Sequence, residues 1–150
     1  MAVFRDRPYA QFNFLVDLGT GDTTGVQAGF QECSAIGMSV DVVEYRNGND
    51  RENGTRKLTG LARYDDVTLK RGMIGSLDLY QWLAQIRDGS PKALRNVTIQ
   101  LLAEDRSTVA LTWKLAGARI VRHSSGPLDG RGTDLAMEEL TLAYERLDVE

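Results

Sequence analysis

Residues 56–89 read RKLTGLARYDDVTLKRGMIGSLDLYQWLAQIRDG, and here local chemistry predicts a strand, a turn and a helix. Val67, Thr68 and Leu69 are β-formers, with Val67 and Leu69 on one side of a short strand that Arg71-Gly72 breaks. Ser76 offers a hydroxyl to cap a helix, and Asp78 stands in its first turn, where the helix dipole favours negative charge. Leu79, Trp82, Leu83 and Ile86 then follow at helical spacing as one apolar stripe, and Asp78, Gln81, Gln85 and Asp88 cover the other side. Gly89 and Pro91 end the helix, which spans about residues 76–88. An amphipathic helix of this kind implies a β-structure on which its stripe is buried.

On the N-terminal side, RNGNDRENGTRK at 46–57 has two Asn-Gly pairs, charges of both signs and no aliphatic residue. It is too long and too polar for a buried connection, so it is either a flexible surface loop or a segment that reaches out of the domain. Ser39–Tyr45 alternates as a strand, with Val40, Val42 and Glu44 opposite Asp41, Val43 and Tyr45. A strand is expected from Tyr9, with Phe12, Phe14, Val16 and Leu18 on its core face. Gly19-Thr20-Gly21-Asp22 reads as a hairpin turn and Val26–Cys33 as the returning strand. The glycines there lack the third glycine, lysine and helix of a phosphate loop. Residues 1–8, with Arg5, Asp6, Arg7 and Pro8, form an arm with nothing to bury.

Toward the C-terminus, Arg95–Glu104 and Thr108–Leu115 form a hairpin around Asp105-Arg106-Ser107. Val97, Ile99, Leu101 and Ala103 share a face with Val109, Leu111, Trp113 and Leu115, leaving Asn96, Thr98, Gln100, Thr108, Thr112 and Lys114 on a wet face. Ala118–His123 continues as strand, and the glycine-rich residues 124–133 are a flexible loop. The segment DLAMEELTLAYERL at 134–147 is in conflict with itself. Met137, Leu140, Tyr144 and Leu147 fall on a helical stripe, whereas strand pairing puts Glu138, Leu140, Leu142 and Tyr144 on one face.

At 150 residues, with 42% hydrophobic and 26% charged, the chain is expected to be a single globular domain, 1–150, rather than a disordered segment. A net charge of −3 argues against a nucleic-acid binder, which needs a basic stripe to neutralise phosphates. Cys33 is the only cysteine, so no intrachain disulfide can form. The charged start MAVFRDRPY lacks the apolar run of a secretory signal, and no window is long enough for a membrane anchor.

Catalytic chemistry is poorly supplied. His123 is the sole histidine, and a triad built from it with Ser124 or Ser125 and Asp129 needs groups that converge from separate elements, which near-neighbours in sequence do not provide. One Cys and one His are too few for zinc, and Asn47-Gly48-Asn49-Asp50 lacks the ligand spacing of a calcium loop. Asp65-Asp66 and Glu138-Glu139 are adjacent carboxylates that point to opposite faces of a strand, so they read as solvated or salt-bridged. No enzyme activity, metal or cofactor is expected.

The Val-Thr-Leu-Lys-Arg-Gly strand, the Gly-Ser helix start and the Leu-Tyr-Gln-Trp-Leu helix, in this order, resemble the tail tube (inner tube) proteins of contractile phage tails and related injection systems. Val43-Glu44-Tyr45-Arg46-Asn47-Gly48, and Val97-Thr98-Ile99-Gln100-Leu101 followed by Trp113, fit the same family, so the resemblance runs from about Tyr9 to Leu147. It implies a mainly β fold of antiparallel sandwich-like or barrel-like sheets with one packed helix, similar to the ring protein of type VI secretion. It also implies that the chain ends in a strand, which becomes the expectation for 134–147.

The function implied is structural: hexameric rings that stack into the inner tube of a contractile machine, a conduit for DNA or protein effectors that pass without sequence-specific binding. The implied partners are further copies of the chain, the sheath, and baseplate and tail-terminator proteins, with assembly in the bacterial cytoplasm and incorporation into a virion tail or injection particle. Residues 45–57 would project onto neighbouring subunits, making Glu44, Tyr45, Arg46, Asn49, Asp50, Arg51 and Arg56 the expected contact residues, while the helix turns its polar side toward the sheath. Two other readings remain open: a ring at the baseplate that starts the tube, and a monomeric β-sandwich binding module.

Overall fold

The computed structural model describes residues 1–150. Nine strands and one α-helix are present: β1 (Phe14–Asp17), β2 (Glu32–Cys33), β3 (Met38–Tyr45), β4 (Arg56–Tyr64), β5 (Val67–Gly72), α1 (Asp78–Arg87), β6 (Arg95–Leu102), β7 (Val109–Ser125), β8 (Met137–Ala143) and β9 (Arg146–Val149). Seven of the strands make one antiparallel sheet in the order β1-β6-β7-β8-β5-β2, with β9 also on β7, whereas β3 and β4 pair only with each other.

The 17-residue β7 is the spine. Its first half pairs with β6, and its second half, from Arg119, pairs with β8. Between the halves Gly117 takes φ +64, a backbone conformation that residues with a side chain rarely adopt, and the mobile end of the Glu145 side chain lies 2.9 Å from where a Cβ would stand. The bend lets Val16, Val97, Ile99 and Leu115 from one end of the sheet and Val67, Leu69, Ile120, Leu140 and Leu142 from the other join a single buried cluster. Leu79 and Trp82 of α1 complete it. The Trp82 indole N–H donates to the Ala93 carbonyl at 2.6 Å, which satisfies a polar group that burial would otherwise penalise. The Arg95 guanidinium stacks over the same ring, 4.4 Å from its centroid.

The last segment is strand, and Glu138, Leu140, Leu142 and Tyr144 are all buried on its inner face. Pairing with β5 and β7 on its two sides outweighs the helical propensity of Ala, Met, Glu and Leu. Glu138 survives in the core because Arg71 of β5 stands opposite it: the guanidinium is 1% exposed and its Nε donates to Glu138 at 2.6 Å. Arg71 also pairs with Asp78 at the start of α1 and donates to the Gln27 carbonyl at 2.6 Å, so one side chain ties two strands, the helix and a loop. Burial alone would push the Asp78 carboxyl up, but hydrogen bonds from Arg71 and the Ser76 hydroxyl outweigh it and hold it below the usual range. Arg71 therefore belongs to the strand that it was expected to break. His123 Nε2 lies 3.1 Å from the second Glu138 oxygen and makes no triad with Ser124, Ser125 or Asp129.

Several local expectations are corrected. The first strand begins at Phe14, and Phe12 is 70% exposed. Gly19–Asp22 is not a hairpin turn, because β1 pairs with β6 and β2 with β5. The Asp17 carboxylate accepts the N–H groups of Gly19 and Gly21 and turns the chain away from its own sheet position. Val26–Ala28 is a short 3-10 turn, leaving only Glu32–Cys33 as strand. Leu77, not Ser76, occupies the helix N-cap, and the Ser76 hydroxyl accepts the N–H of Asp78 at 3.3 Å while donating to the Asp78 carboxylate at 2.9 Å. A register shift between Leu101 and Leu102 sets Val109 opposite Leu102 and so takes it off the shared hairpin face, and β6 ends before Ala103, while Thr112 is buried rather than wet, in a strand edge closed by paired hydrogen bonds with Glu150. Ser124 and Ser125 extend β7, so the glycine-rich loop starts at Gly126.

The arm is pinned. Val3 N–H donates to the Ala110 carbonyl at 2.9 Å, and Arg5 stacks on Tyr9 and grips Glu104 through two nitrogens at 2.7 and 2.8 Å. The Arg5 hydrogen bonds hold the Glu104 carboxyl at about 2, against 4.5 for a free glutamate. A depressed folded-state value means that the attachment is fully present above about pH 4.5 and is lost as pH falls through about 2. A carboxyl-carbon NMR titration of Glu104 is expected to show that low midpoint. A midpoint near 4.5 would show the grip to be absent in solution.

Candidate subunit interface

β3 and β4 form a two-stranded ribbon that leaves the body at its root and carries the 46–55 loop at its tip. At roughly 3.4 Å per residue, the eight residues of β3 span about 27 Å. The root is fastened: Asp65 N–H donates to the Gly37 carbonyl at 2.9 Å, the Tyr144 hydroxyl reaches the same oxygen at 3.4 Å, and the Tyr64 and Tyr144 rings pack 5.8 Å apart.

The tip is tightly self-bonded. Arg46 donates to the Glu52 and Asp50 carbonyls, both at 2.9 Å, and the Asp50 carboxylate accepts the Asn47 N–H at 3.0 Å and Arg56 at 3.1 Å. The Tyr45 hydroxyl bonds the Asn47 side chain. Of the expected contact residues, Arg46, Asp50 and Arg56 therefore shape the tip, whereas Glu44, Asn49 and Arg51 are exposed there, with Tyr45 exposed on its flank. Tyr45 and Arg56 lie in strands, so the loop proper is 46–55, shorter than 45–57.

Sequence reading missed the shaft of the ribbon. Met38, Val40 and Val42 alternate along one face, and Val43 and its cross-strand partner Leu58 lie on the other. All five are exposed, Met38 by 61% and Val42 by 57%. The signal was present in MSVDVVEY, where valines occupy both parities of a strand, a pattern that suits a strand covered on both sides. Here neither side is covered, and a lone two-stranded ribbon is marginal in water. The Asp41–Arg63 pair at 2.8 Å is exposed and adds little to hold it.

The helix also shows more than a polar side. Leu77 and Tyr80 are exposed beside Met73 and Ile74, so its outward surface is mixed. No helix of the protein is long and apolar enough to cross a membrane.

Comparison with solved structures finds the same fold in tube assemblies. The chain is similar to a subunit in the sheath-tube complex of an extracellular contractile injection system, PVC, in its extended state, at 24% identity and a TM-score of 0.82, covering 95% of this chain and 91% of that one. It is similar to a chain of the anti-feeding prophage baseplate at 25% identity and a TM-score of 0.78, with 97% of each chain covered. A type six secretion system protein shares the fold at 14% identity and a TM-score of 0.55, covering 92% of this chain and 82% of that one. Comparison with curated protein sequences gives no match. Residues 10–148 match the family of the T4-like virus tail tube protein gp19, so the projecting ribbon and the helix-capped sheet are those of a member of that tail tube family.

Proposed function

We propose that this chain, acting as one domain, closes into hexameric rings that stack as the inner tube of a contractile tail or injection machine. The observation that carries this reading is the ribbon: an apolar, two-faced, unpartnered pair of strands on a body whose own core is complete. Such a feature is marginal by itself in water and is stabilised when something covers it. A second copy, offering the same ribbon and a different receiving surface, gives a head-to-tail contact that closes into a ring. Family membership and the likeness to a sheath-tube complex support the tube, and the likeness to a baseplate chain supports contacts at its end.

The tube would form in the bacterial cytoplasm, inside a sheath, between baseplate and terminator, and its lumen would pass DNA or protein without reading sequence. The mixed charges at the ribbon tip suit contacts that fix register more than they add affinity.

Electron microscopy of the purified protein over a concentration series, with light scattering for mass, tests the reading. Hollow filaments or stacked rings are expected. Single rings that never stack would favour the baseplate relative, and a monomer at every concentration would overturn the tube. Tyr45→Ala combined with Arg51→Glu is expected to leave a folded monomer, with an unchanged circular dichroism spectrum, that no longer polymerises. Normal tubes from that variant would remove the ribbon tip from the interface.

A further inference from the structure

Two Asn-Gly pairs stand in the 46–55 loop, Asn47-Gly48 and Asn53-Gly54, and the fold treats them differently. Asparagine before glycine is open to attack on its side-chain amide by the next backbone nitrogen, because glycine has no Cβ to obstruct the approach. Asn47 is half-buried and held on every side. Its side-chain oxygen accepts the Tyr45 hydroxyl, its N–H donates to the Asp50 carboxylate at 3.0 Å, and its carbonyl accepts the Asp50 N–H at 3.1 Å. Asn53 is exposed, and neither its side chain nor the Gly54 N–H takes part in a hydrogen bond. The space at Gly54 is open, with no atom beyond its chain neighbours within 4 Å of where a Cβ would stand. Arg46 holds the Glu52 carbonyl at 2.9 Å on one side, and the strand ladder resumes at Arg56 opposite Tyr45 on the other. Residues 53–55 are the unfastened part of the loop.

We propose that Asn53 is a site of self-modification, converting to aspartate and isoaspartate through its own backbone, while Asn47 in the same loop is protected by its hydrogen bonds. The Gly54 nitrogen gives up its proton to solvent hydroxide and attacks the Asn53 Cγ. The new C–N bond closes a cyclic succinimide, the Cγ–NH2 bond breaks, and ammonia leaves with a proton from water. Water then opens the ring. Attack at Cγ restores the original backbone and leaves aspartate, whereas attack at the main-chain carbonyl routes the backbone through Cβ and leaves isoaspartate. Either product adds a negative charge to a chain of net charge −3, next to Glu52. Isoaspartate also lengthens the backbone by a methylene between the Glu52 carbonyl and Arg56, the points at which the loop is fastened. This chemistry belongs to the free subunit and does not depend on the tube reading.

Purified protein kept dilute in mildly alkaline buffer and sampled by peptide mass spectrometry tests the assignment. Asn53 is expected to gain the mass difference between ammonia and water at least about threefold faster than Asn47, the factor that one ordinary hydrogen bond holding Asn47 back corresponds to. In urea, where only local sequence distinguishes the pairs, the difference is expected to vanish. Tyr45→Phe is expected to speed Asn47 by about the same threefold factor. Gly54→Ala is expected to leave Asn53 intact over the time in which the wild type converts half of it. Equal rates at the two positions in the folded protein, or a difference that persists in urea, overturn the proposal. So does an Asn53 that converts in urea and stays intact in the folded chain. An Asn47 rate unmoved by Tyr45→Phe overturns the protection assigned to that hydroxyl.

Discussion

Arg71→Met is expected to destabilise the folded subunit by about 3–5 kcal/mol, because it takes the guanidinium from the Glu138 carboxylate, 5% exposed, and leaves it only the His123 ring nitrogen as a side-chain partner. Methionine fills much of the space left by the arginine stem, so lost packing is the smaller part. The helix is loosened as well, since Asp78 at its start loses the same partner. Asp78 is partly exposed and finds water in its place, so most of the cost falls on Glu138. Urea unfolding of an assembly-deficient subunit measures the effect. The matched double variant, Arg71→Met with Glu138→Leu, is expected to recover most of the loss, because an apolar pair of similar volume removes both desolvation penalties. A single variant costing under about 1 kcal/mol would show that water reaches Glu138 and that the pair is not buried in solution.

Trp82→Ala is the second large loss, again about 3–5 kcal/mol. The ring is fully buried between α1 and the sheet, and its removal leaves a cavity where the helix meets the core. The Ala93 carbonyl loses its donor and the Arg95 guanidinium its aromatic face. Trp82→Phe separates these parts: it keeps most of the packing and forfeits the hydrogen bond, at about 1–3 kcal/mol for a buried acceptor left unmade. Equal costs for the two variants in urea unfolding would place the energy in the hydrogen bond rather than in packing.

Both predictions concern the body of the subunit, and the ribbon stands apart from them. Its valines are about half exposed and lie outside the buried core of the body, so variants there are expected to change assembly with only a small effect on subunit stability.

The helix could be read from sequence because its information is local: Leu79, Trp82, Leu83 and Ile86 repeat at the helical period, and Gly89, at φ +76, ends it as a glycine should. The β6–β7 hairpin was legible for the same reason, up to the bulge that shifts its far end. The terminal strand was not legible locally. Its residues favour helix, and only the tail tube resemblance pointed to the answer. The returning strand after Gly19 failed because the period-2 pattern says that a segment can be a strand, not which strand it pairs with. The ribbon tip was marked by a polar run, but the apolar shaft beneath it was read as an ordinary strand, since sequence does not say whether a valine is covered.

By itself, then, the sequence determined what depends on near neighbours: one amphipathic helix, alternating strands, a polar surface run at 46–57, and the order of segments that marks a tail tube protein. Only the tertiary structure decided that Arg71 and Glu138 meet in the core, that β3 and β4 stand away from the sheet, and that an apolar seam lies open between β1 and β2. Each of these joins residues far apart in the chain, and their pairing is fixed by the packing of a shared core, which no local pattern encodes.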